Sequence, residues 1–189
     1  MTRPHLPYGR QCIDEDDIAA VAATLRSDWL TTGPAVEAFE RALAERCGAP
    51  YAVSCANGTA ALHLAALALG LGPGDSVVVP AITFLATANA ARFVGAEVVF
   101  ADVAPESGLM TPATLDDALR RGAGRGIKAV FPVHMGGHSA DMPALRKITG
   151  RDELAVVEDA CHALGGEQAG KSGGKVPVGA CVHSEMTAF

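Results

Sequence analysis

Three short segments carry side chains suited to chemistry rather than to packing. In Ser54-Cys55-Ala56-Asn57-Gly58-Thr59, a glycine stands between two polar residues just ahead of an Ala/Leu-rich run. Glycine lets an anion approach the backbone, the first amides of a helix point at it, and the Thr59 hydroxyl adds a donor. A phosphate cup and a plain helix cap both fit that pattern. Asp159 follows the apolar run Leu154-Ala155-Val156-Val157, so its carboxylate emerges where a strand would end. In such a place it must be solvated, protonated or paired, and a cationic heterocyclic nitrogen is a suitable partner. An N-cap or a surface acid is the plainer alternative. His162 lies three residues further on. Phe84 follows Pro80-Ala81-Ile82-Thr83 in a chain with only six Phe, two Tyr and one Trp. Its ring is placed either to stack on a flat ligand or to pack in the core.

Other candidates are weaker. His134-Met135-Gly136-Gly137-His138 spaces two histidines for metal binding only on a helix, and the Gly-Gly pair argues against a helix. No metal site is expected there. Tyr8 and Asp28-Trp29-Leu30-Thr31-Thr32-Gly33 form either an arm over a ligand or a packing segment for the first helices.

The elements that must position these residues alternate. Asp14 to Asp17 load acids onto the start of a helix whose apolar face is Ile18, Val21, Ala22 and Leu25. Gly33-Pro34 opens a second helix that runs to Gly48. Tyr51 to Ser54 reads as a short strand, Ala60 to Leu69 as a helix, and Val77 to Val79 as a strand buried on both faces. Helices over 84–94, 115–120 and 142–148 then alternate with strands over 97–100, 127–133 and 154–157. Beyond Cys161 the chain turns to glycine-rich, short extended pieces. This alternation predicts an α/β fold with a mainly parallel sheet, whose ligands bind beyond the carboxyl ends of the strands. The loops at 57–59, 80–84, 134–138 and 158–162 would meet along that edge.

Composition narrows the function classes. The chain has 189 residues, 49% hydrophobic and 19% charged, with a net charge of −6. The charge has the wrong sign for general nucleic-acid binding. No apolar run reaches the roughly 20 residues of a membrane helix, and the first residues have no apolar core of a secretory signal. Five widely spaced cysteines suggest reduced thiols and a cytoplasmic location rather than a disulfide framework.

Taken together, Ser27 to Pro34, Asn57 to Leu64, Pro80 to Phe84, Phe100 to Val103 and Glu158 to Gly165 resemble the DegT/DnrJ/EryC1/StrS sugar aminotransferases. The resemblance implies a pyridoxal-phosphate-dependent transferase of fold type I, with a three-layer α/β/α large domain. Residues 1–33 would be an N-terminal arm and first helix, and 34–189 the first part of that large domain. The rest of it and a small C-terminal domain would lie outside this chain. In the implied roles, Gly58 and Thr59 hold the cofactor phosphate, Phe84 stacks on the pyridine ring, and Asp159 binds the ring nitrogen. His162 lies near the phenolic oxygen as a catalytic neighbour. Tyr8, Asp28, Trp29, Leu30, Thr31 and Gly58 contact a nucleotide-sugar. Asn57 and Cys161 depart from the common Ser and Ala of the family.

The implied reaction moves an amino group from L-glutamate to the 4-keto group of a UDP-linked deoxy sugar. Tyr8 to Gln11 with Ser27 to Pro34 is most similar to the branch that serves pseudaminic acid formation. A homodimer is implied. The Schiff-base lysine of the family falls beyond Phe189, and Lys128, Lys147, Lys171 and Lys175 do not occupy its motif. By itself the chain is therefore expected to be inactive, and a non-catalytic cofactor-binding or subunit-assembly module is the alternative.

Overall fold

The computed structural model describes residues 11–169 and 175–177. By its internal contacts the chain divides into two compact units, Met1–Phe39 and Glu40–Phe189. In the first, α1 (Glu15–Leu25) starts from a capping box. The Asp14 carboxylate accepts from the Asp16 and Asp17 amides, and the Asp17 side chain accepts from the Asp14 amide. These bonds satisfy amides that the first helical turn otherwise leaves open. The apolar residues of this helix stay exposed, with Ile18, Val21 and Leu25 each more than half accessible. α2 (Pro34–Cys47) begins with Pro34, whose missing N–H costs nothing at a helix start.

The second unit continues with α3 (Gly58–Ala68), β1 (Ser76–Pro80), α4 (Leu85–Phe93), β2 (Glu97–Ala101), α5 (Pro112–Arg121) and β3 (Ile127–Val130). A single 3-10 turn, Met135–Gly137, precedes α6 (Met142–Thr149) and β4 (Ala155–Val156). β5 (Glu167–Ala169) and β6 (Lys175–Pro177) pair antiparallel as a separate ribbon. The four main strands run parallel in the order β2-β1-β3-β4.

β1 sits between two neighbours and is inaccessible along its length, which is why its sequence is an unbroken valine run. Successive side chains alternate across the sheet. Val77 and Val79 pack on one face with Leu62, Ala65 and Ala66 of α3 and Ala86, Ala90 and Ala91 of α4. Val78 packs on the other with Val99, Leu115 and Ala118 of α5, and Leu145 and Ile148 of α6. Each buried valine contributes about 1.5–2 kcal/mol by leaving water. The result is three layers, α/β/α. No helix among the described residues is long and apolar enough to cross a membrane.

Two strand expectations need correction. Tyr51 to Ser54 is irregular, with Tyr51 and Val53 strongly exposed. A strand needs a paired edge, and here the Ser54 amide and hydroxyl both donate to the Glu40 carboxylate, at 2.7 and 2.8 Å. The strand expected over 127–133 ends at Val130 because Pro132 has no N–H for the ladder. Pairing resumes once, as a parallel bridge between Val133 and Asp159.

Candidate functional site

The strand order creates the site. From β1 the chain passes to β2 on one side, then crosses to β3 on the other side. A crevice opens at such a reversal, outside the carboxyl ends of the diverging strands. A cavity of about 230 Å³ lies there, lined by residues that follow β1 (Thr83, Phe84), β3 (His134) and β4 (Asp159, Cys161, His162), and by Gly58 and Thr59 of α3.

Asp159 is held deep in this arrangement, 5% exposed. Its backbone is pinned by two bonds to the extension of β3: its amide donates to the Pro132 carbonyl (2.8 Å), and its carbonyl accepts from the His134 amide (3.0 Å). The Thr87 hydroxyl donates to its Oδ2 at 2.6 Å, and the Cys161 amide reaches Oδ1 at 3.4 Å. The plain alternative of a surface acid is thereby excluded.

Glu158, its neighbour in sequence, is equally buried but differently treated. Arg146 donates to Oε1 at 2.8 Å, and the His134 ring bonds to Oε2 at 2.9 Å. The Ala140 amide donates to His134 Nδ1, which makes that nitrogen an acceptor and leaves the proton on Nε2, donated to Glu158. Burial works to raise the Glu158 carboxyl, but the hydrogen bonds from His134 and Arg146 outweigh it and hold the group below its ordinary value. His134 thus belongs to a structural knot that fixes the 134–140 loop beside Asp159.

At the start of α3, Asn57 is the cap, its side chain accepting from the Ala60 amide at 2.9 Å. The Ala61 amide bonds to the Asn57 carbonyl, while among the described residues the Gly58 and Thr59 amides meet no backbone acceptor. Asn57 is thus the cap, while Gly58 and Thr59 are among the residues lining the cavity. A Cβ on Gly58 would stand 2.6 Å from Cys161 Sγ, so only glycine lets the two walls close. Phe84 is 72% exposed, which rules out core packing and leaves its ring open to a ligand. The Gly136 amide donates to His162 Nδ1 at 3.4 Å, which orients an otherwise exposed ring.

The structure brings Gly58, Thr59, Phe84, Asp159 and His162 to one cavity. Asp28, Trp29, Leu30 and Thr31 belong to the first unit, in the turn after α1, where the Ser27 hydroxyl bridges the Thr24 and Trp29 carbonyls. Tyr8, Lys171 and the 184–189 segment lie outside the described residues. Lys128 pairs with Asp75 at 2.8 Å, and among the described residues no lysine lines the cavity. Thr87, Arg146 and the Glu158–His134 bond escape sequence reading. A faint signal for Thr87 was its place four residues after Thr83, where helical geometry brings side chains together.

Comparison with known proteins gives this geometry its context. Residues 11–183 match the model of the DegT/DnrJ/EryC1/StrS aminotransferase family. The UDP-4-amino-4-deoxy-L-arabinose–oxoglutarate aminotransferase of Shewanella sediminis is 42% identical over 184 residues, 97% of this chain and 46% of the relative. Among solved structures, the DesV protein of S. venezuelae superposes with a TM-score of 0.79 at 37% identity, over 86% of this chain and 42% of its own. The PLP form of a Streptococcus pneumoniae protein described as a sugar aminotransferase superposes with a TM-score of 0.83 at 30% identity, over 94% and 47%. The chain spans about half the length of the relatives it matches.

Proposed function

The chain belongs to the DegT/DnrJ/EryC1/StrS aminotransferase family, and from that premise we propose that the full-length protein moves an amino group from L-glutamate to the 4-keto carbon of a UDP-linked sugar. The cofactor is pyridoxal phosphate. Support for its fit comes first from Asp159, a carboxylate nearly removed from water with one oxygen committed to Thr87 and the other, among the described residues, held by a long amide contact. A buried anion of this kind needs a cationic partner, and a protonated ring nitrogen supplies one. The Gly58 and Thr59 amides suit a phosphate at the positive end of an 11-residue helix. Phe84 offers a face for the ring.

When bound, the cofactor supplies an electron sink for the carbon that loses or gains a proton. Asp159 keeps the ring nitrogen protonated, the α3 amides and Thr59 anchor the phosphate, and Phe84 restrains the ring plane. His162, its ring set by the Gly136 amide, holds the phenolic oxygen. The proton-shuttling lysine comes from chain beyond Phe189. By the resemblance, Tyr8, Asp28, Trp29, Leu30 and Thr31, with Gly58, take the role of contacting the nucleotide-sugar. The protein works as a homodimer in the cytoplasm.

For the sugar, the Tyr8 to Gln11 and Ser27 to Pro34 runs favour the 4-keto-6-deoxy-N-acetylhexosamine of pseudaminic acid formation. The Shewanella relative's name favours a 4-keto pentose instead. Incubating full-length protein with pyridoxal phosphate, L-glutamate and each UDP-keto sugar in turn distinguishes them. Faster 2-oxoglutarate release with the N-acetylhexosamine supports the first assignment, and faster release with the pentose supports the second. No release with either sugar defeats the aminotransferase reading.

A further inference from the structure

Thr87 sits in the first turn of α4 with no exposed surface, and its hydroxyl does not bond back to its own helix. Buried hydroxyls on helices commonly return to the carbonyl one turn earlier. This one crosses to Asp159 Oδ2 as a short hydrogen bond of 2.6 Å. Thr87 is also 2.7 Å from the Thr83 hydroxyl. A hydroxyl has a single proton. With the Thr87 proton given to the carboxylate, Thr83 must be the donor to Thr87, and the direction of the relay is set: Thr83 to Thr87 to Asp159. The relay starts at the cavity wall, since Thr83 lines it, and ends on Asp159 Oδ2.

We propose that Thr87, oriented by Thr83, is a positioning residue that fixes the rotation of the Asp159 carboxylate and so directs its other oxygen at the ring nitrogen of the cofactor. The inference rests on the cofactor assignment above and adds two residues to that site. Without Thr87, Oδ2 loses its strongest partner in a place water barely reaches, and the carboxylate turns to share its charge between whatever donors remain. Recognition of the ring nitrogen weakens, while recognition of the phosphate and the ring face does not. Thr87 acts through Asp159 alone and does not touch the ligand.

The test measures dissociation constants of full-length protein for pyridoxal phosphate and for its 1-deaza analogue, which has carbon in place of the ring nitrogen. Thr87→Val keeps the shape and removes the donor, so pyridoxal phosphate should bind about tenfold or more weakly, the size of a hydrogen bond to a charged group. Binding of the deaza analogue should stay unchanged, and Thr87→Ser should restore the wild-type value for pyridoxal phosphate. Thr83→Val, which leaves the Thr87 proton free to rotate, should weaken pyridoxal phosphate alone by about threefold. Equal weakening of both ligands, or of neither, overturns the positioning role while wild-type binding upholds the cofactor reading. A wild-type protein that binds neither ligand overturns both.

Discussion

Glu158 and Asp159 are consecutive, both buried, and face opposite helical layers of one sheet. Around Glu158 every acceptor is answered from within the protein, by Arg146 and by His134, whose second nitrogen is itself occupied by the Ala140 amide. Around Asp159, among the described residues, one oxygen has a short bond, to Thr87, and the other has the 3.4 Å contact from the Cys161 amide. Both environments would be costly for a lone carboxylate, yet only the first is complete without a ligand. Saturation marks a group that holds the fold, and a single open oxygen marks one that holds something else.

That contrast is easiest to break by substitution. The largest expected effect is from Asp159→Asn, which keeps the volume but cannot hold the charge opposite a protonated ring. Turnover of the full-length protein should fall by about a thousandfold, as for loss of one strong preorganised charge contact, with little change in the thermal midpoint of cofactor-free protein. Glu158→Ala should do the reverse in kind. It strands the buried His134 donor and removes one partner of Arg146, costing about 3 kcal/mol of stability by denaturant titration while the ligand contacts survive. If Asp159→Asn unfolded the protein and Glu158→Ala left its stability untouched, the assignment of roles would be reversed.

Acid supplies a third and smaller test. Because the folded Glu158 carboxyl lies below its ordinary value of 4.5, it binds protons more weakly folded than unfolded. Its stabilisation is complete above that value and fades as pH falls through the lower, folded one. Wild-type protein should therefore lose more stability than Glu158→Ala between about pH 6 and pH 3.5, and equal losses would remove Glu158 as the cause. The smallest effect belongs to the exposed pairs of Asp117 with Arg120 and Arg121. Asp117→Asn should leave the unfolding midpoint unchanged in moderate salt, since solvent screens such pairs.

Much of this arrangement is legible in the residues. The valine run of β1 and the helix periods announce a parallel sheet, and the edge rule then selects four loops, all of which contribute to the cavity. Asp159 and Phe84 are identifiable as candidates, but their burial states, opposite to each other, need the fold. The Tyr51 to Ser54 segment misleads because alternation of polarity says nothing about whether a partner edge exists. Pro132 shortens β3 in a way its own residue type forecasts. Thr87 stays hidden because a threonine within an alanine-rich helix looks like filler until the strand bearing Asp159, 72 residues away in sequence, is laid beside it. His134, whose Gly-Gly neighbours argue against a metal pair, is committed to Glu158, a partner that sequence alone does not reveal.

The strand order also has a kinetic side. β1 emerges from the ribosome before both of its partners, and its second edge stays open until β3 has been made and carried across. Such parallel pairings close long loops before any contact repays them, which makes them slow. β4, made after β1, β2 and β3, is the strand that leads into Asp159, so the crevice gains this carboxylate only after those three strands exist. A nascent chain can hold the core around β1 and still lack Asp159, and a ligand that recognises Asp159 selects for chains in which β4 has paired with β3.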